Sequence, residues 1–81
     1  MKVEDKEMQE MFELQARYDS RKSFYGKAKV VVEGNVLSLY SYDTLVAVII
    51  DGKVTRADIG VWSTTTNRHI REFIKQFSVE V

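Results

Sequence analysis

The chain has 81 residues, 12 basic and 12 acidic side chains, no cysteine and no proline. Because so short a chain rarely divides into two cores, we expect a single domain spanning residues 1–81. The lack of cysteine excludes disulfide scaffolds, thiolate zinc sites and cysteine nucleophiles. No segment approaches the ~20 apolar residues of a membrane span. The charged start is unlike a signal peptide, so we expect a cytoplasmic protein that does not enter a membrane.

The first predicted element is a helix over residues 3–18. Its apolar positions recur at intervals of three and four, as on one helical face: Met8, Met11, Phe12, Gln15 and Tyr18. Acidic residues precede basic ones along this segment, which suits the helix dipole.

Residues 27–59 predict four strands, over 27–33, 36–42, 45–50 and 53–59. Turn signals separate them: Gly34-Asn35, Asp43-Thr44 and Asp51-Gly52. Connections this short favour an antiparallel meander, because parallel pairing would need long crossovers.

Two-residue loops also fix which residues lie opposite one another. The expected pairs are Glu33 with Val36, Tyr42 with Leu45, and Ile50 with Lys53. These registers place Val46, Val48 and Ile50 on an aliphatic face and put a second group on the opposite face. That group contains Tyr40, Tyr42, Leu45, Ala47 and Ile49.

A second helix is predicted over residues 64–77. The polar run 63–67 can cap its start, and its apolar stripe lies at i, i+3, i+4 and i+7: Ile70, Phe73, Ile74 and Phe77. The predicted fold is therefore α+β, in the order α-β-β-β-β-α. We expect the C-terminal helix to cover the aliphatic sheet face.

Residue constellations for catalysis or metal binding are missing from the sequence. His69 is the single histidine, and no phosphate-binding glycine loop or nucleophile elbow occurs. We expect no enzyme activity, no metal and no cofactor. His69 is interpreted first as a structural imidazole, and alternatively as part of a cationic end with Arg56, Arg68 and Arg71.

The tyrosine-bearing sheet face is the first candidate binding surface. Large exposed apolar patches are unusual on monomers, and tyrosine is enriched at interfaces. The predicted partner-binding residues are Tyr40, Tyr42, Leu45, Ile49, Arg56, Arg68, His69 and Arg71. The N-terminal helix, a second copy in a homodimer, or a foreign protein would each cover this face.

A basic and aromatic segment is the second candidate surface. Stacking rings beside phosphate-neutralising bases suit single-stranded nucleic acid, although a net charge of zero makes this partner less favoured. The residues concerned are Arg17, Arg21, Lys22, Tyr25, Lys27 and Lys29.

Two segments resemble a family of small proteins of unknown function, encoded by phages and mobile elements of Gram-positive bacteria. They are YSYDTLVA at 40–47 and WSTTTNRHIREF at 62–73, and FYGKA at 24–28 belongs to the same resemblance. The resemblance covers roughly residues 24–77 and implies no catalytic residues. It implies a phage-borne accessory role, and small phage proteins of this size often inhibit host defence, including CRISPR–Cas nucleases, by binding.

The resulting hypothesis is a non-enzymatic, phage-encoded protein that binds a host protein, such as a defence nuclease, in the host cytoplasm. The alternative is a small nucleic-acid-binding or regulatory module that uses the 17–29 segment.

Overall fold

The structure is a computed structural model that describes residues 9–19 and 23–79. Its elements are β1 (Gln9–Glu13), β2 (Ala28–Glu33), β3 (Val36–Ser41), β4 (Thr44–Ile50), β5 (Lys53–Ala57) and α1 (Thr64–Phe77). The strands form one antiparallel sheet in the order β1-β2-β3-β4-β5. The α+β class, the meander and the C-terminal helix are thus confirmed.

The predicted N-terminal helix over 3–18 is wrong where the chain is described. Residues 9–13 form β1, and 14–19 are irregular, while 3–8 lie outside the described residues. Phe12 pairs with Val30, and its ring lies 5.9 Å from that of Phe77, whereas Met11 pairs with Val31. A strand sends these two neighbours to opposite faces, and pairing with β2 outweighs the helical spacing.

A β-bulge in β4 changes which residues face the core. Leu45 lies opposite Tyr40 and Ala47 lies opposite Leu39, so Val46 is the extra residue. The alternation is therefore inverted beyond Val46, and Ala47 and Ile49 are fully buried.

The predicted sheet faces are therefore wrong for the part of β4 after Val46, whereas Leu45 and Val46 lie on the faces predicted for them. Val48 lies opposite Ser38, on the same outer face as Tyr40. The second turn is also displaced, because Ser41 pairs with Thr44 and the loop is Tyr42-Asp43. The predicted pairs at the other two turns, Glu33 with Val36 and Ile50 with Lys53, are confirmed.

The core lies between the inner sheet face and α1. Ile70 and Phe73 are fully buried against it, as the stripe predicted. The remaining buried hydrophobic members are Leu14, Phe24, Ala28, Val30, Leu39, Val46, Ala47 and Ile49. Ser63 caps α1, its Oγ accepting the backbone N–H of Thr66 at 3.1 Å.

Candidate functional site

A buried chain of hydroxyl groups joins β3 to the start of α1. The Oγ of Ser41 lies 2.9 Å from the Oγ1 of Thr66 and 2.8 Å from the Nδ1 of His69. All three residues are buried, His69 completely. The bulged strand and the turn at 42–43 bring Ser41 beneath the helix, where its hydroxyl satisfies two polar groups of α1.

The histidine tautomer and the order of donors in this chain depend on each other. The Ser63 hydroxyl donates to the Oγ1 of Thr66 at 3.3 Å. In one of the two donor orders that these distances allow, Thr66 donates to Ser41 and Ser41 donates to the Nδ1 of His69, and the imidazole proton then lies on Nε2. Within the described part of the chain, this buried Nε2 has no hydrogen-bond partner.

Burial also holds the imidazole neutral. Loss of solvation lowers the pKa of His69 below its ordinary value, and the nearby charge of Asp19 opposes that effect only in part. The ring of Phe24 stands edge-on at 4.6 Å and that of Tyr42 lies at 5.9 Å. His69 is therefore a buried core residue, which agrees with its first interpretation as a structural imidazole and not with the alternative of a cationic end.

Exposed aromatic rings surround this buried chain at the surface. Tyr25 is 71% exposed, and Tyr42 and Trp62 are each 51% exposed. Tyr42 and Trp62 line one cavity of about 200 Å³, and Tyr42 and Tyr25 line another of about 180 Å³. We call Tyr25, Tyr42 and Trp62 the aromatic rim, and Tyr42 is the residue its two cavities share.

Two members of the aromatic rim have an unusual backbone conformation. Tyr25 has φ +54° and Tyr42 has φ +51°, in the left-handed region. Residues other than glycine, asparagine and aspartate rarely adopt this backbone region, and holding one there destabilises the fold by ~1–3 kcal/mol. The backbone N–H of Tyr42 donates to the Lys27 carbonyl at 2.9 Å, so the two turns support each other.

Part of the predicted basic segment lies beside the aromatic rim. Lys27 and Lys29 line a groove of about 410 Å³ with Tyr40 and Tyr42. Arg17 lines a different groove together with Tyr18. Arg21 and Lys22 lie outside the described residues.

The predicted partner-binding residues do not form one surface. Ile49 is buried in the core, whereas Leu45 pairs with Tyr40 on the outer face. The prediction that Ile49 shares a face with Tyr40 and Tyr42 is therefore wrong, because the bulge at Val46 turns Ile49 into the core, whereas Tyr40 and Tyr42 line one groove.

The predicted arginines differ in their surroundings. Arg56 forms a two-point ion pair with Asp58, the shorter distance being 2.9 Å, and hydrogen bonding from this guanidinium lowers the pKa of Asp58. Arg68 bonds Asp19 at 2.9 Å, which ties α1 to the loop after β1. Arg71 is exposed.

Glu72 is a structural residue that the sequence reasoning missed. Its buried carboxylate accepts the backbone N–H groups of Arg17 and Tyr18 at 3.0 Å, and the Gln76 amide. The loop N–H groups bind this carboxylate as they would bind an anion, and the contact holds the 14–19 loop against α1. Trp62 was missed as well, although a lone tryptophan before a helix cap was the available signal.

The described ranges contain no group of three or more His, Asp or Glu side chains placed to hold a metal ion. None of the helices in those ranges has the length and apolar character needed to cross a membrane.

Residues 12–81 match the model of a family of unknown function, DUF8033, and the chain belongs to that family. No curated protein matches the chain, and no solved structure matches it. The residues of the two segments quoted above include Ser41, Thr66, His69 and Glu72, which are all buried. These positions of the segments therefore maintain the fold beneath the aromatic rim.

Proposed function

We propose that this protein is a non-enzymatic protein-binding accessory protein whose recognition surface is the aromatic rim. The observation that carries the proposal is the placement of Tyr25 and Tyr42. Both rings are exposed, and both backbones are left-handed, where asparagine or glycine would be less costly. Stability alone does not account for tyrosine at these positions, whereas recognition does.

The chemistry of the aromatic rim suits a protein partner. Tyrosine and tryptophan offer a large apolar area with a polar tip, and they dominate the binding energy of many interfaces. Lysines and Asp43 line the adjoining groove together, so the charge around the rim is mixed. Protein interfaces usually have aromatic residues at their centre and polar residues around them.

The resemblance to phage and mobile-element proteins supplies the class of partner. We propose that the chain is phage-encoded, that it acts in the host bacterial cytoplasm, and that it inhibits a host defence nuclease by direct binding. A CRISPR–Cas nuclease of a Gram-positive host is the first partner to test.

The Ser41–His69 pair supports binding over hydrolysis. A serine nucleophile needs an exposed hydroxyl and a histidine oriented by a third group. Ser41 is 2% exposed, and its Oγ is already engaged by Thr66. Among the described residues, no carboxylate orients the free nitrogen of His69.

The test uses purified nuclease and the full chain in a binding assay, with DNA cleavage as a second readout. We expect one-to-one binding that is lost in a Tyr42→Asn, Trp62→Ala double variant. Tyr18→Ala is the matched control, because Tyr18 is 62% exposed and lies on a different groove. Binding that survives in the folded double variant contradicts the aromatic rim as the recognition surface.

A second candidate function rests on the groove that contains Lys27, Lys29, Tyr40 and Tyr42. Bases beside tyrosine rings suit single-stranded nucleic acid. Binding of a fluorescent oligonucleotide would fall steeply as salt rises, through counterion release. No binding at low salt removes this alternative.

A homodimer stays a prediction. The outer sheet face carries half-buried aliphatic residues, including Val31, Val36, Val48 and Ile50. Light scattering of the full chain measures the solution mass, and a monomer at micromolar concentration would contradict it.

A further inference from the structure

The cavity of about 180 Å³ beside His69 combines aromatic, charged and hydroxyl-bearing side chains. Tyr25 and Tyr42 lie at its edge, Lys27 and Thr65 line it, and Phe24 and His69 form its inner wall. Ser41, the partner of Nδ1, does not line this cavity. The two nitrogens of an imidazole point to opposite sides of the ring, so Nε2 is directed away from Ser41.

The buried Nε2 of His69, which has no hydrogen-bond partner among residues 9–19 and 23–79, is the main reason to expect a ligand. A buried donor without an acceptor costs ~1–3 kcal/mol, so native structures rarely keep one. With Ser63, Thr66 and Ser41 donating in that order, Nε2 carries the imidazole proton and can donate to a ligand. An acceptor that enters between the exposed Tyr25 and Tyr42 rings would satisfy it.

The electrostatics of the cavity favour an anionic acceptor. Lys27 supplies a positive charge at the wall. Thr65 lies in the first turn of α1, where backbone N–H groups have no partner within the helix and no acidic residue is present. Asp19, the acidic residue whose charge acts on His69, is paired with Arg68 at 2.9 Å. Asp43 lines the adjoining groove with Lys27.

We propose that this cavity binds a carboxylate side chain, an aspartate or glutamate of the protein partner. His69 Nε2 and Lys27 hold the carboxylate, while Tyr25 and Tyr42 pack on its methylene groups. The inference rests on the proposed function and deepens it, because it names the chemical group that the partner inserts. A protein carboxylate is favoured over a nucleic-acid phosphate because the chain has no basic excess to hold a polyanion.

The direct test is an NMR titration of the ¹⁵N-labelled full chain, with imidazole resonances recorded. The probe is N-acetyl-glutamic acid α-methylamide, and the matched control is the glutamine analogue at equal ionic strength. We expect saturable shifts of His69 Nε2 and the Thr65 amide with the glutamate probe alone. Saturation should raise the pKa of His69, because an anion stabilises the imidazolium.

Two variants separate the contributions. His69→Asn retains an amide near the position of Nδ1 for Ser41 and removes Nε2, and we expect it to abolish the saturable shift at Thr65. Lys27→Gln should weaken probe affinity about threefold, as expected for an exposed charge pair. Equal responses to the glutamate and glutamine probes in the unmodified chain overturn the proposal, whether or not the variants fold.

Inorganic phosphate and a thymidine oligonucleotide are two further probes in the same NMR titration. Saturable binding of either, without a response to the glutamate probe, overturns the carboxylate assignment in favour of phosphate. If the nuclease complex depends on Tyr42 and Trp62 but tolerates His69→Asn and Lys27→Gln, the carboxylate anchor is wrong and the aromatic rim stands. If no nuclease binds but the probe titration saturates, the partner assignment fails and the anchor stands.

Discussion

Ser41 and His69 are 28 positions apart in the chain, and the Oγ of one lies 2.8 Å from the Nδ1 of the other. This hydrogen bond joins the end of β3 to the first turns of α1. It places the imidazole 5.9 Å from the ring of Tyr42, and both residues line a cavity together with Tyr25. The same contact therefore stabilises the fold and shapes the candidate binding surface.

The neutral state of His69 predicts a pH-dependent stability. Because burial lowers its pKa in the folded chain, the unfolded chain binds the proton more readily. The contribution of neutral His69 to the free energy of unfolding is complete above its unfolded pKa of about 6.5. It is lost as the pH falls toward the lower pKa of His69 in the folded chain. Urea denaturation at pH 7.5 and 5.0 should show a lower free energy of unfolding at pH 5.0.

His69→Asn provides the control for that experiment, since asparagine does not titrate. Its free energy of unfolding should change less between the two pH values. An equal change in the variant would show that other groups cause the pH dependence.

The bulge at Val46 predicts opposite outcomes for two adjacent isoleucines. Ile49 is fully buried, whereas Ile50 is half-buried on the outer face opposite Lys53. Ile49→Ala should lower the free energy of unfolding by about 2–5 kcal/mol through the cavity it creates. Ile50→Ala should cost about 1 kcal/mol or less. Urea denaturation measures both, and a reversed order would contradict the observed register.

The buried carboxylate of Glu72 predicts a loss of order in the loop it holds. Glu72→Gln retains the shape but removes the charge, which should cost about 1–3 kcal/mol. Amide hydrogen exchange at Arg17 and Tyr18 should speed up most, because their N–H groups donate to this carboxylate. Glu33→Gln, at an exposed position, is the control and should change neither quantity. Unchanged exchange at both amides would contradict the role of Glu72.

The cap of α1 predicts an effect at Ser63. Ser63→Ala removes the acceptor for the Thr66 N–H and should cost about 0.5–2 kcal/mol. Thr64→Ala, at the exposed next position, should stay within about 0.5 kcal/mol. Thermal denaturation of both variants tests this, and the opposite ranking would place the cap at Thr64.

The left-handed backbone at Tyr25 predicts that function and stability oppose each other there. Tyr25→Asn should leave the free energy of unfolding unchanged or raise it by up to about 1 kcal/mol, because asparagine tolerates this region. The same variant should weaken partner binding. Tyr18→Asn serves as the control, since Tyr18 is exposed without a positive φ. A marked loss of stability at Tyr25 would show that its ring is structural.

The sequence by itself determined the parts of this fold that depend on local signals. The Gly34-Asn35 and Asp51-Gly52 turns and the helix over 64–77 follow from residue types only a few positions apart. The short connections between strands also determined the antiparallel meander, because a two-residue loop cannot connect parallel strands.

Tertiary structure decided the remainder. The segment 9–13 forms a strand because β2 offers it a pairing edge, a contact that spacing along the chain does not reveal. One extra residue at Val46 inverts the faces of β4, because side chains alternate with a period of two and a bulge resets that alternation. The burial of His69 and Glu72 likewise depends on elements more than 25 positions away, so no local pattern could predict it.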